Sequence, residues 1–254
     1  MINKTNWDNA AEWYNELVSD EGSDYQKNVI FPNAIRLLSI EKEEKLIDIA
    51  CGQGVFSRIL AKSGAEVFGL DASFEMIKFA KERSKGIKNL KFFNGDARNL
   101  KQFNDNYFDV AVCVLALQNI DPIENVISST SRILKDGGKF LLVINHPCFR
   151  VPKRSEWGID EKKKIQYRRI DKYLSSFNMP IKMHPGYDPS EITWTFHRPL
   201  SKYVELLGEN KLAVIKLEEW ISHRKSKPGK RKREEDMARN EIPLFLAVLA
   251  KKIK

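Results

Sequence analysis

The segment from Lys45 to His146 alternates short apolar stretches with amphipathic ones, and this alternation restricts the possible folds more than any other feature. The apolar stretches have the length of β-strands, and apolar residues between them recur at helical spacing. The predicted strands cover residues 46–50, 66–71, 90–93, 108–117 and 139–145. The fourth is apolar on both faces, as a central parallel strand must be. The predicted class is therefore α/β, with a doubly wound parallel sheet between two layers of helices.

The regions on either side of this alternation have a different character. Residues 1–44 are polar with aromatic side chains at helical spacing, and we predict a helical cover ahead of a main domain over residues 45–254. Residues 147–197 are rich in proline and aromatic residues, and a connection of about 50 residues is too long for an ordinary loop. We predict a lid inserted there, followed by two more strands at 212–217 and 244–250.

Composition excludes several classes of protein. The chain has 254 residues, of which 42% are hydrophobic, so it can bury a core. Its longest apolar run, residues 110–117, is far shorter than the roughly 20 residues of a membrane span, and the N-terminus lacks the apolar core of a signal peptide. We therefore expect a cytoplasmic protein with no membrane partner. Three cysteines and four histidines are scattered, so we expect neither a disulfide framework nor a metal site.

The net charge of +9 is unevenly distributed. Residues 1–145 contain 18 Lys and Arg against 20 Asp and Glu, whereas residues 146–254 contain 25 against 14. A basic surface of this kind improves solubility, or contacts nucleic acid, phosphates or acidic substrates. The most basic run, residues 223–233, contains no aromatic side chain for base stacking, and we interpret it as a solvated loop.

Three acidic positions and two glycines carry the chemical signal. The first strand and its turn read D-I-A-C-G-Q-G, with Asp48 inside the strand and Gly52 and Gly54 opening a helix. Glycines there let the backbone approach a ligand, and the helix start offers free N–H groups. Asp71 ends the second strand, where an acid can accept hydrogen bonds from ribose hydroxyls, and Asp96 ends the third, within reach of an adenine amino group. Helix capping and turn formation are the simpler alternatives. A third glycine is missing, which disfavours a nicotinamide enzyme.

Together these positions resemble the class I S-adenosylmethionine (SAM)-dependent methyltransferases, in particular the small-molecule-type subgroup (methyltransferase domain 11/25-like). The resemblance covers residues 45–146 closely and the last two strands more weakly. It implies a Rossmann-like sheet of about seven strands with the last one antiparallel, SAM as cofactor, and S-adenosylhomocysteine as product. The cofactor-binding residues that it implies are Asp48, Ala50, Gly52, Gly54, Asp71, Ala72, Met76, Asp96, Ala97 and Leu115.

Residues on the substrate side are identified by position. His146 follows the fifth strand and is a candidate general base, since a histidine titrates near neutral pH. Gln118 occupies the position where the subgroup often has a histidine. The candidate substrate residues are Tyr14, Tyr25, Gln118, Trp157, Tyr187, Trp194 and His197. Core packing, or a hydrogen-bonded loop in the case of His146, is the alternative for each.

These observations lead to one functional hypothesis and two alternatives. A sulfonium methyl is already electrophilic, so an enzyme needs mainly to align the reactants and exclude water. We predict methyl transfer from SAM to an O, N or S atom of a small metabolite by in-line displacement, with an acidic substrate left open. The first alternative is an RNA (tRNA or rRNA) methyltransferase that uses the basic C-terminal surface. The second is a SAM-binding protein without catalytic activity.

Overall fold

A seven-stranded sheet forms the centre of the molecule, and its strand order is β10-β11-β5-β4-β1-β2-β3. The structure, a computed structural model, describes residues 7–8, 11–182 and 192–254. The strands of the sheet are β1 (Lys45–Ile49), β2 (Glu66–Asp71), β3 (Leu90–Asn94), β4 (Phe108–Val114), β5 (Leu134–Asn145), β10 (Leu212–Trp220) and β11 (Phe245–Lys252). β11 is antiparallel to both of its neighbours, and the remaining pairs are parallel. The predicted seven-stranded sheet with an antiparallel last strand is confirmed.

Helices cover both faces of the sheet. They are α1 (Ala11–Val18), α2 (Phe31–Leu38), α3 (Val55–Ala61), α4 (Phe74–Arg83), α5 (Ile123–Ile133), α6 (Leu200–Glu209) and α7 (Lys232–Glu241). Buried side chains of α2, α3 and α4 pack on one face, and those of α5 and α6 pack on the other. Each face of the sheet therefore has its own hydrophobic core, as a doubly wound fold requires.

Two helix boundaries differ from those that the sequence predicts. The sequence D-P-I-E at residues 121–124 is typical of a helix start with Asp121 as the cap and Pro122 as the first residue, but Pro122 occupies the cap position and Asp121 pairs with Arg198. The run 223–233 was interpreted as a loop, yet α7 begins inside it at Lys232. α7 buries only Ala238, so it has no apolar periodicity that a sequence pattern could detect.

The region predicted as a lid contains two antiparallel hairpins. The first pairs β6 (Ser155–Asp160) with β7 (Ile165–Ile170), and the second pairs β8 (Phe177–Lys182) with β9 (Ile192–His197). Tyr187, one of the candidate substrate residues, lies outside the described residues. Within the described ranges, every helix is too short or too polar to cross a lipid bilayer.

Candidate active site

A cavity of about 820 Å³ opens at the carboxyl ends of β1, β2 and β4, beneath the N-terminal helices. In doubly wound sheets, ligands bind at this edge, where the strand order reverses. The predicted residues that line the cavity are Asp48, Ala50, Gly52, Asp71, Ala72, Met76, Asp96, Ala97 and Leu115, together with Tyr14 and Gln118. The fold thus brings together nine of the ten residues predicted to bind the cofactor.

The turn after β1 has an unusual backbone. Gly52 and Gly54 have φ angles of +55° and +76°, in the left-handed region that glycine adopts most easily. Gly54 does not line the cavity. A Cβ at Gly54 would lie 2.5 Å from the ring of Phe92, so packing explains this glycine. Ala50 and Leu115, which line the cavity, also have positive φ angles of 56° and 54°. Such strain at non-glycine residues clusters at functional sites.

Asp71 is held by the backbone on two sides. Gly52 donates its main-chain N–H to Oδ2 over 2.8 Å, and Ser73 donates its N–H to Oδ1 over 2.9 Å. Burial raises the pKa of Asp71, while these main-chain donors act in the opposite direction. The carboxylate therefore has a fixed orientation and is connected to the glycine turn. Ser73 also caps α4, because its Oγ accepts the Met76 N–H.

Asp48 is the most deeply buried acid of the cavity, with 2% of its surface exposed. Ser57 donates its hydroxyl to Asp48 Oδ2 over 2.6 Å. Burial raises the pKa of Asp48 to about 7, although the Ser57 hydrogen bond lowers it in part. Near neutral pH, this carboxyl therefore exchanges a proton easily, and a cation in the cavity would favour its ionised form.

A chain of charged groups forms another wall. Arg98 contacts both carboxylate oxygens of Asp96 through Nε at 3.0 Å, and its Nη1 donates to the Asp121 carbonyl over 3.0 Å. The Arg98 hydrogen bonds hold the pKa of Asp96 below its usual value. Arg198, which is almost fully buried, donates to Asp121 Oδ1 over 2.6 Å. Sequence reasoning missed both arginines, although the D-x-R spacing from Asp96 to Arg98 was visible.

Comparison with known proteins identifies this arrangement. Residues 47–142 match the family described as a methyltransferase domain. The chain contains a class I SAM-dependent methyltransferase domain. The matched residues include Asp48, Asp71 and Asp96, and they stop before the two hairpins.

Individual relatives resemble the methyltransferase domain over part of their length. A demethylmenaquinone methyltransferase from Tropheryma whipplei (strain Twist) is 32% identical over 117 residues, 45% of this chain and 47% of that protein. The uncharacterized methyltransferase YcgJ of Bacillus subtilis (strain 168) is 31% identical over 146 residues, 56% of this chain and 55% of that protein. The chain spans about half the length of these curated relatives. The crystal structure of a SAM-dependent methyltransferase from Mesorhizobium loti superimposes with a TM-score of 0.68 at 25% identity, covering 87% of this chain and 96% of that chain.

Gln53 connects the helical cover to the methyltransferase domain. It lies in the glycine turn with 1% of its surface exposed, and its Nε2 donates to the Ser19 carbonyl over 3.0 Å. Arg83 donates to Gln53 Oε1, and Arg58 donates to the Gln53 carbonyl over 2.8 Å. The end of α1 is thus tied to the cofactor turn. The sequence shows only a polar residue between two glycines, and the burial of this residue is visible in the structure alone.

The two candidate tyrosines of the cover have different positions. Tyr14 lines the cavity, and burial raises its pKa. Tyr25 is not among the described lining residues. Its hydroxyl lies 3.1 Å from Ser222 Oγ, and the Arg224 guanidinium lies 4.8 Å from its ring centre. Tyr25 therefore contacts the segment that follows β10, and a role in substrate binding stays a prediction.

His146 is buried and is not among the described lining residues of the cavity. Its Nε2 lies 2.6 Å from Glu219 Oε1, and its Nδ1 accepts the Cys148 N–H over 3.2 Å. Burial lowers the pKa of His146, partly offset by Glu219. Both ring nitrogens thus have protein partners. The structure does not bring His146 together with the described lining residues, and its role as a base stays a prediction.

The remaining substrate candidates lie in the hairpins. Trp157 is on β6 and Trp194 on β9, and neither is among the described lining residues. His197 is buried, with Nε2 2.7 Å from the Tyr173 carbonyl oxygen. Their roles in substrate binding also remain predictions. The part of the chain that the structure describes holds no cluster of three or more His, Cys, Asp or Glu suited to a metal ion.

Proposed function

We propose that the chain transfers the methyl group of SAM to an O, N or S atom of a small molecule. The observation that carries this proposal is the hydrogen bond from Gly52 to Asp71 at the edge of a large cavity. This bond fixes a carboxylate acceptor next to the backbone of a turn that contains two glycines. The cavity continues from there to the end of β4, which leaves room for a second ligand.

The residues of the cavity fit SAM chemically. Asp71 offers fixed acceptors for a pair of hydroxyls, and Asp48 offers a carboxyl that ionises readily beside a cation. When bound, SAM supplies an electrophilic sulfonium methyl. The chain's own task is to orient the reactants and exclude water. Trp7 and Tyr14 support the second task, because they meet edge to face with ring centres 5.5 Å apart and both line the cavity.

Gln118 is the best candidate for orienting the acceptor molecule. Its Nε2 donates to the Leu115 carbonyl over 2.8 Å, so the amide is fixed at the end of β4. Its Oε1 is buried and has no hydrogen-bond partner among the residues that the structure describes, which is costly for a polar atom. We assign this oxygen to a donor group of the substrate. The described lining contains no histidine, and the role that we propose for Gln118 is to align the acceptor molecule.

The comparisons favour a small acceptor over RNA. Several curated relatives, 31% or 32% identical over 117 to 137 residues, are named demethylmenaquinone methyltransferase. No described residue of the basic run 223–233 lines the cavity. RNA methylation and SAM binding without catalysis therefore remain the alternatives that an experiment must separate.

Label transfer tests the proposal directly. The protein is incubated with methyl-labelled SAM and a cell extract, and metabolites, RNA and protein are then separated and counted. Asp71→Ala serves as the blank, and Asp105→Ala, a change of an exposed acid away from the cavity, serves as the matched control. We expect label in the metabolite fraction for the parent and the control only. Label in RNA would favour the first alternative, and SAM binding without any label transfer would favour the second.

A further inference from the structure

Two basic segments far apart in the sequence meet in the fold. Residues 153–172, which include the β6–β7 hairpin, and residues 224–233 together contain 15 Lys and Arg against 4 Asp and Glu. The chain as a whole has a net charge of +9, so the rest of it is slightly negative. α7 packs against β7, and Arg231 pairs with Glu161 in the hairpin turn. We call these two segments the basic surface.

The acids of the hairpin are already occupied. Glu156 pairs with Arg169 at 3.3 Å, and Asp160 accepts the main-chain N–H groups of Lys162 and Lys163 at 3.0 Å. Lys162, Lys163 and Lys164 are exposed and make no ion pair with any residue that the structure describes. The tip of the hairpin therefore presents three cations whose charge is not neutralised by the protein.

Large apolar side chains project from the same hairpin. Ile165 and Tyr167 are 49% and 48% exposed, and their spacing of two residues along β7 places them on one face. Leu174, just beyond β7, is 77% exposed. Aromatic and aliphatic side chains beside lysines are typical of segments that lie in a lipid–water interface. Single-stranded RNA would use the cations and the tyrosine ring, but it has no use for exposed aliphatic groups.

The hairpin is connected to the edge of the sheet where the cavity opens. Arg168 of β7 donates to the Phe149 carbonyl over 3.0 Å, and Phe149 lies in the turn directly after β5. A surface in contact with the hairpin would therefore be on the cavity side of the sheet.

We propose that the basic surface docks the methyltransferase domain peripherally on an anionic lipid bilayer. The lysines of the hairpin tip contact lipid head groups, and Ile165 and Tyr167 enter the interface. This inference goes beyond the proposed function and does not depend on it. It also departs from the expectation of no membrane partner, which considered only a membrane span and a signal peptide. Only the structure shows that the two basic segments and an exposed apolar face lie close together.

Vesicle co-sedimentation tests the proposal. The probes are vesicles of phosphatidylcholine alone and of phosphatidylcholine mixed with phosphatidylglycerol. We expect the protein to bind the mixed vesicles only, and K162E/K163E/K164E to bind them about tenfold less or weaker still. The matched control is K81E/K85E/K88E, which changes the net charge equally at exposed lysines on the α4 side of the sheet. I165S/Y167S should also lose binding without changing the charge.

Several results would overturn the proposal. The first is that the protein does not sediment with the mixed vesicles. The second is that the two triple variants lose vesicle binding equally. The third is that the protein prefers a single-stranded RNA oligonucleotide, which vesicles do not displace. Circular dichroism checks that each variant is folded. SAM affinity, measured in parallel, should be the same in all of them. It tests the proposed function separately, because no residue of the basic surface is among the described lining residues of the cavity.

Discussion

The main-chain nitrogen of Gly52 lies 2.8 Å from Oδ2 of Asp71, so the turn after β1 and the acid after β2 form one unit. β1 and β2 are adjacent and parallel, with Ile49 paired with Leu70, which brings their carboxyl ends side by side. The hydrogen bond couples the geometry of the glycine turn to the direction in which the carboxylate points. A ligand that contacts Asp71 therefore also meets the backbone of the turn.

We expect Asp71→Ala to raise the Kd for SAM by about 10- to 100-fold, because hydrogen bonds to a charged group contribute roughly 1.5–3 kcal/mol. Isothermal titration calorimetry measures the affinity, with Asp105→Ala as the control. Asp71→Asn, which keeps one acceptor oxygen, should lie between the parent and Asp71→Ala. Equal affinities for the parent and Asp71→Ala would show that SAM does not bind at this carboxylate.

We expect Gly54→Ala to lower the free energy of unfolding by about 2–4 kcal/mol. The new Cβ would clash with the ring of Phe92, and the alanine would have to adopt a left-handed backbone conformation. Gly86→Ala is the matched control. Gly86 also has a positive φ, of +89°, but a Cβ there meets nothing within 4 Å. Gly86→Ala should lower the free energy of unfolding by only about 1–2 kcal/mol, because it adds the strain of the left-handed backbone without a clash. Urea unfolding compares the two variants, and equal losses would contradict the packing explanation.

The stability of the ligand-free protein should depend on pH through Asp48. Burial raises the pKa of Asp48 from the ordinary 3.8 to about 7. The folded protein therefore gains its full stabilisation from the protonated carboxyl below about pH 3.8 and loses it as the pH rises through about 7. Asp48→Asn stays neutral. The difference between the free energies of unfolding of Asp48→Asn and the parent should therefore change in favour of the variant, by up to roughly 1.4 kcal/mol per pH unit between about pH 5 and 7. Urea titrations at several pH values measure this trend, which the exposed Asp105→Asn variant should lack.

We expect Gln53→Ala to loosen the helical cover while the central sheet stays intact. The change removes the hydrogen bonds to Ser19 and Arg83 that tie the end of α1 to the glycine turn. Amide hydrogen exchange should become faster by about tenfold or more in α1, since losing one to two such bonds costs about 1–3 kcal/mol of local stability. Gln166→Ala on the β6–β7 hairpin is the control. Unchanged exchange in α1 would show that other contacts hold the cover.

The elements that local patterns specify could be predicted from the sequence. Most strands of the sheet contain a short apolar run, and Ser73 precedes α4 at the spacing of a cap, so neighbouring residues contain the signal. The same holds for the cofactor side of the cavity. Asp48 lies within β1, Asp71 ends β2 and Asp96 follows β3 by two residues, and the carboxyl ends of these parallel strands must meet at one edge.

Features that depend on distant contacts could not be predicted in this way. Arg198 reaches Asp121 across 77 positions of sequence, and Tyr25 packs against residues that follow β10. α7 has one buried residue, so its helix has no hydrophobic stripe. The left-handed backbone of Ala50 could not be predicted either, because alanine does not favour that conformation and only its surroundings impose it.

The place of β11 in the sheet has a consequence for the order in which this molecule can be assembled. β10 has a single neighbour in the sheet, β11, and β11 is also the strand that covers the outer edge of β5. During synthesis on a ribosome, β10 emerges first but has nothing to pair with until residues 245–252 follow. The strands from β1 to β5 can pair as they appear. The remaining two strands, β10 and β11, are added in a late step, in which β11 pairs with both β5 and β10.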